Sequence, residues 1–202
     1  MTHQRAKAVH HTSAAVAIGS EPDVLNEVSD PQIALAIWRR SLPHMLSVCA
    51  AASCQDNLHW KGTVHSGDPA SQTDCPAALH LLLDDLLQSA EPMRRSCGAE
   101  ALHVRLETIT DDGCRRFHVD QVHTRFVTTY HGAGTEWVSP DWAEACALDP
   151  LDYGGPRHTL HQGDVAVFKG AKSGAETLIL HRSPPVKSLS EARFVGVADL
   201  AW

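Results

Sequence analysis

Hydrophobic positions along the chain follow one period in the first half and another in the second. Between Pro76 and Ser89, Leu79, Leu82, Leu83, Leu86 and Leu87 recur at i, i+3, i+4, i+7 and i+8, the stripe of an amphipathic helix with one buried face. Upstream, Asp30-Pro31 offers an N-cap and a proline at the first helical position, and Ile33, Ile37 and Trp38 fall at helical spacing before Pro43 interrupts. A second helical piece is expected through Met45, Val48 and Ala52. Residues 55–73, polar and containing Gly62, Gly67 and Pro69, read as loop.

From Leu102 the period becomes two. Leu102, Val104, Leu106 and Thr108 alternate with His103, Arg105 and Glu107, as in a half-buried strand. Asp111-Asp112-Gly113 is a turn, and an apolar, β-branched segment then runs from Phe117 to Tyr130 into the glycine turn Gly132-Ala133-Gly134. Ser139-Pro140-Asp141 opens a short helix reaching Ala147, and residues 149–156 are loop. Strands are expected at 159–161, 165–168, 177–181 and 194–197, with Gln162-Gly163-Asp164 as a tight turn. Helices first, then at least five closely spaced strands, predict an α+β protein with N-terminal helices packed on a β-sandwich or jelly roll. Residues 1–28 read as a flexible lead. Residues 29–202 read as a single domain, mainly helical over 29–98 and β-rich, with the chemistry, over 99–202.

Composition removes several classes of function. Seventeen Lys and Arg against 24 Asp and Glu give a net charge of −7 without any basic run, which argues against a nucleic-acid partner. No apolar run is long enough to span a bilayer, and Ala14–Ile18 after Arg5 and Lys7 is short for a signal-peptide core. The six cysteines, Cys49, Cys54, Cys75, Cys97, Cys114 and Cys146, form no C-x-x-C pair. That spacing speaks against a zinc knuckle or a disulfide scaffold and for a reducing, cytoplasmic location. Nucleophile-elbow, phosphate-loop, dinucleotide and His-Glu-x-x-His patterns are absent.

The candidate chemistry lies in Phe117-His118-Val119-Asp120. A strand puts residues i and i+2 on one face, so His118 and Asp120 can aim at one centre, and His181 from a distant strand can complete a set of two imidazoles and one carboxylate. Such a facial triad, with open coordination positions, is diagnostic of non-haem Fe(II) oxygenases. Arg193 beyond it can hold the carboxylate of an oxo-acid cosubstrate by a bidentate pair, where the bland alternative is a surface ion pair. Arg125 reads either as a partner behind the metal residues or as a competing clamp. Tyr130 reads either as a cosubstrate hydrogen-bond donor or as core. Cys114 and His123 are the weaker candidates that a zinc site would recruit.

In order and type these residues resemble the prolyl-hydroxylase-like branch of the Fe(II)/2-oxoglutarate-dependent oxygenases: His118-Val119-Asp120, Arg125, Tyr130, Gly134-Thr135-Glu136-Trp137, Gly163-Asp164 to Phe168, His181 and Arg193. The resemblance implies a double-stranded β-helix core of jelly-roll or cupin type. It implies His118, Asp120 and His181 as Fe(II) ligands, Arg193 on 2-oxoglutarate with Arg125 and Tyr130 as further cosubstrate contacts, and hydroxylation of a substrate, small molecule or protein. Arg193 sits slightly farther past His181 than is usual in that branch. More closely, Cys-Arg-Arg-Phe-His-Val-Asp (114–120), Gly-Ala-Gly-Thr-Glu-Trp (132–137), Val-Phe-Lys-Gly (167–170) and His-Arg-Ser-Pro-Pro (181–185) resemble an uncharacterised bacterial family, domain of unknown function 1826. That resemblance brings an association with zinc homeostasis, and with it the alternative of a non-catalytic protein holding zinc.

Overall fold

Residues 10–13, 15–189 and 191–202 are described in the structure, a computed structural model. The chain begins with two short strands, β1 (His10–Ser13) and β2 (Val16–Gly19), a 3-10 helix over Pro22–Ser29, and β3 (Leu35–Trp38). Helix α1 (His44–Gln55), β4 (His59–His65), α2 (His80–Ser96), β5 (Ala101–Ile109) and β6 (Thr124–His131) follow. The rest comprises β7 (Glu136–Trp137), α3 (Ala143–Leu148), β8 (His158–Thr159), β9 (Val165–Lys169), β10 (His181–Arg182), α4 (Val186–Leu189) and β11 (Arg193–Ala201). Eight strands form one sheet in the order β1-β2-β3-β9-β6-β11-β5-β4, and three form a second, β10-β7-β8. The described residues thus form a mixed α/β structure built on a large sheet with four α-helices.

Successive residues of the central strands go to two different cores, as the two-residue period of a strand requires. Ala36, Phe126, Tyr130, Val165, Val167, Phe194 and Ala198 share one cluster with Leu79, Leu82, Leu83 and Leu86 of the leucine stripe. Leu35, Ile37, Val127, Ala166, Phe168, Val195 and Val197, the alternate positions, share the other with Trp137 of the small sheet, Leu160 and Ile179. One face of the large sheet therefore carries the helical layer, and the opposite face meets the small sheet. The four stripe leucines are fully buried. Leu83→Asp should cost several kcal/mol, on the order of the whole stability of such a domain. Loss of the cooperative thermal transition in that variant is the check, and a wild-type melt would mean the stripe is not core.

Three expectations are corrected. Residues 15–28, read as part of a flexible lead, hold β2 and the 3-10 helix, with Val16, Ala17, Val24, Leu25 and Val28 buried, while residues 1–9 lie outside the described ones. The segment through Ile33, Ile37 and Trp38 is a strand, not a helix. Asp30 and Pro31 make a turn there, in which the Asp30 carboxylate accepts from the Gln32 backbone N–H at 2.8 Å. A strand buried on both faces has no polar alternation to declare it, and its apolar run also satisfies helical spacing. The expected loop at 55–73 contains β4, the edge strand, whose outer positions are mostly polar.

Candidate metal centre

His118 and His181 are joined before any ligand is considered. Each backbone N–H donates to the other's carbonyl at 3.0 Å, an isolated antiparallel bridge that sets the two side chains on one side. His118 is outside any longer strand, and Thr177–Leu180, expected as a strand, is irregular up to β10. Asp120 is fixed from behind, because its carbonyl accepts from the Ala171 N–H at 2.9 Å. Gly170 permits that approach: a Cβ there would collide with the Val122 carbonyl and stand 2.9 Å from that of Asp120.

The three side chains converge. One ligand atom from each of His118, Asp120 and His181 lies within 4.8 Å of the others. His181 Nε2 is 2.9 Å from one Asp120 oxygen, and His118 Nε2 is 3.6 Å from the other. Two ligands at right angles on one ion, each at about 2.1 Å, would stand about 3 Å apart, so the donors are spaced as a shared ion needs. Asp120 and His181 are buried, and His118 is half exposed on the open side.

The tautomers follow from the neighbours. His118 Nδ1 meets the Arg116 carbonyl at 2.8 Å and His181 Nδ1 meets that of Ile179 at 3.2 Å. A carbonyl only accepts, so each Nδ1 carries the hydrogen and each neutral Nε2 turns a lone pair toward the carboxylate. Acceptors facing acceptors need a cation between them, whether protons or a divalent metal. Burial by itself would raise the Asp120 carboxyl, but hydrogen bonds from His118 and His181 and the charge of Arg125 hold it well below the usual carboxylate range. The bond to Asp120 correspondingly raises His118.

Arg125 backs the carboxylate. It donates through Nη1 to Asp120 and grips Asp199 with Nε and Nη2 at 2.7 and 2.6 Å. Asp199 stands opposite Arg125 across β6 and β11, so the pair is set by strand register.

Arg193 lies on the same sheet face, two residues before Val195. It is 2% exposed, and its guanidinium donates to Ser183 Oγ at 2.7 Å and to Thr129 and Thr135 Oγ1 at 2.9 and 3.0 Å. No carboxylate pairs with it among the described residues, and its Nε–H has no partner. Burial pulls the guanidinium down to about 10. Gly132, at φ +79°, lets the end of β6 pass this arginine: a Cβ there would stand 2.7 Å from the Ala192 carbonyl.

Residues 19–199 match the family described as "Protein of unknown function (DUF1826)". The chain belongs to that family. No curated protein matches it. Among solved structures, this DUF1826 chain is similar to a Pseudomonas putida prolyl-4-hydroxylase, at 13% identity and TM-score 0.53 over 89% of this chain and 97% of that one. A putative oxygenase from Shewanella oneidensis is similar at 8% identity and TM-score 0.53, over 92% and 89%. HygX from Streptomyces hygroscopicus, with iron bound, is similar at 12% identity and TM-score 0.50, over 87% and 84%. At these identities the likeness is one of fold.

The remaining sequence candidates of the DUF1826 chain fall away from the centre. Tyr130 is corrected: its side chain is on the helical face, where the hydroxyl donates to Asp85 Oδ2 at 2.8 Å and stands 3.1 Å from the Leu82 carbonyl. Phe126, Thr128 and Tyr130 share one side of β6, whereas Arg125, Val127 and Thr129 share the other. Neither Cys114 nor His123 belongs to the converging set, and His123 instead bonds Thr124 and lies edge-on to Trp202. Sequence reasoning passed over Asp199, Thr129 and Ser183. The signal for Thr129 is its place two residues beyond Val127 and four beyond Arg125, on the same side of the strand. For Asp199 and Ser183 the chain carries none, since both depend on which strands become neighbours.

Proposed function

We propose that this protein is a non-haem Fe(II)- and 2-oxoglutarate-dependent oxygenase on a jelly-roll frame, hydroxylating a small-molecule or protein substrate in the cytoplasm. The observation that carries the reading is the pairing of an open three-donor set with a buried guanidinium that has no anionic partner among the described residues. Ser183 is two residues beyond His181, a step of about 7 Å along a strand, and it holds Arg193. A short dicarboxylate anchored at Arg193 spans that step and brings its oxo-acid end to the triad. His118, Asp120 and His181 fit Fe(II) in donor type, number and spacing.

Bound iron would activate dioxygen, the oxidant, so that one oxygen atom hydroxylates a substrate C–H while the other enters the succinate formed, with CO2, from 2-oxoglutarate. The protein's own residues do the rest. Backbone carbonyls fix the imidazole tautomers, Arg125 holds Asp120 by one oxygen so that the other is free to ligate, and Phe168, with its ring 4.4 Å from that of His181, keeps water off the buried side. Structural zinc sites close four donors, often with cysteine, and here three converge without one. That difference favours the oxygenase over a zinc-holding role. No helix among the described residues is long and apolar enough to cross a membrane.

Anaerobic protein given Fe(II) should take up about one ion per chain by the ligand count. Adding 2-oxoglutarate should then produce a weak visible charge-transfer absorption from chelation. Its absence at saturating 2-oxoglutarate, with iron bound, would defeat the proposal.

A further inference from the structure

Trp137 is 2% exposed, and its indole Nε1–H has no hydrogen-bond partner among the described residues. A buried indole N–H normally finds one. Its position is fixed by pairing. Trp137 stands directly opposite His181 between β7 and β10, and opposite residues of an antiparallel pair project from the same face. One further step of that pairing sets Thr135 opposite Ser183, and both accept from Arg193. Glu136, between Thr135 and Trp137, projects the other way, to Arg182 at 2.6 Å and Arg157 at 3.0 Å. His158, opposite Trp137 on β8 and so on the same face, stacks on the indole at 4.2 Å between ring centroids and holds the ring in place.

Between the inner face of the small sheet and the facing strands β6 and β11, the described residues therefore present donors without an acceptor. Arg193 Nε–H and Trp137 Nε1–H are both buried and unpartnered. The hydroxyls of Thr129, Thr135 and Ser183 accept from Arg193, which leaves each its own hydrogen to donate. We infer that the Trp137 indole N–H is a direct donor to the anionic ligand held between His181 and Arg193. It is a specificity residue for the dicarboxylate, and one that nothing in the family description assigns. The inference rests on the proposed 2-oxoglutarate site. Its chemistry is particular: an indole donates and never accepts, so it rewards an oxygen at that point and penalises a ligand with a methylene or a donor there.

Trp137→Phe keeps an aromatic ring against His158 and removes the N–H together with part of the indole's packing surface. With the metal site loaded anaerobically with Fe(II), calorimetric titration should show 2-oxoglutarate binding weakened about tenfold or more, the loss expected for one hydrogen bond to a charged acceptor. Metal content should be unchanged. Wild-type affinity in a folded, metal-replete Trp137→Phe overturns the inference and leaves the proposed function standing. A wild-type protein that binds iron but no 2-oxoglutarate overturns both. Should the variant not fold, indole-nitrogen-labelled wild-type protein loaded with Zn(II) gives the same answer. Trp137 is the buried one of five tryptophans, and single Phe substitutions of the other four assign its N–H by elimination. That resonance should shift on adding 2-oxoglutarate, and an unmoved resonance in the saturated complex counts against the inference.

Discussion

Arg193→Met should abolish discrimination between 2-oxoglutarate and 2-oxobutyrate, which differ by the distal carboxylate. In the proposed complex that carboxylate would meet a guanidinium 2% exposed to solvent and without a carboxylate partner among the described residues. The cost of burying the cation is met in part by three hydroxyls, and a bound anion would offset the rest. Truncating one side of a buried, hydrogen-bonded charge pair costs about 2–5 kcal/mol, so affinity for 2-oxoglutarate should fall by about 30- to 5,000-fold. Affinity for 2-oxobutyrate should change little. Arg193→Lys keeps the charge but loses the planar fork, and should fall between the two. Metal content should match wild type in both variants, since the converging donors do not include Arg193. Equal preference for the diacid in wild type and Arg193→Met would place the carboxylate somewhere else.

The contrast between Arg193 and Tyr130 shows what a sequence can disclose about such a site. Both stand on strands near the motif, and both were candidate cosubstrate contacts. Strand parity separates them: Tyr130 shares its side with Phe126, and Arg193 with Val195 and Val197, so they face opposite cores. Parity is readable once a strand's register is known. Register itself comes from pairing, with a bulge where Phe194 meets His131 and Val195 meets Thr129, and no local pattern announces it. The leucine stripe needed no such help, because an amphipathic helix declares its buried face through its own period. The Ile33–Trp38 segment needed all of it, being apolar on both faces of an interior strand.

The triad was legible for a reason other than the one that first suggests itself. A regular strand was to aim His118 and Asp120 together, whereas only a two-residue bridge to His181 and a pinned loop hold them. Spacing survived the loss of the strand because extended backbone of any length alternates its side chains. Asp199 and Ser183 were illegible because their roles begin only after β11 has been inserted between β5 and β6 and β10 has paired with β7. The first holds the residue that holds a candidate ligand; the second holds the arginine that would hold the cosubstrate.

Asp120→Asn should yield a protein that folds but melts below wild type without metal, having lost the ionised carboxylate that Arg125 and the two imidazoles hold, and that gains nothing from Fe(II). In the metal-free wild type, Asp120 lies between two Nε2 atoms and Arg125. An asparagine of the same shape can accept from Arg125 through its oxygen and donate to the His181 lone pair through its amide, so no buried group is left unpaired. Arg125 keeps its two bonds to Asp199. The amide carries no charge to oppose a divalent ion, and the remaining pair of imidazoles binds it weakly. Losing an outer partner of a ligand already costs about 10–100-fold in metal affinity, and losing the anionic ligand itself should cost more. At a metal concentration about 100 times the wild-type Kd, the wild type should be stabilised by about 2.7 kcal/mol. Asp120→Asn should show almost none of that shift. His123→Ala, outside the converging set, should show all of it. Differential scanning calorimetry of the three proteins with and without Fe(II), under anaerobic conditions, makes the comparison. A full metal-dependent shift in Asp120→Asn would mean that the ion is held by other residues and that the converging set is only a hydrogen-bonded cluster.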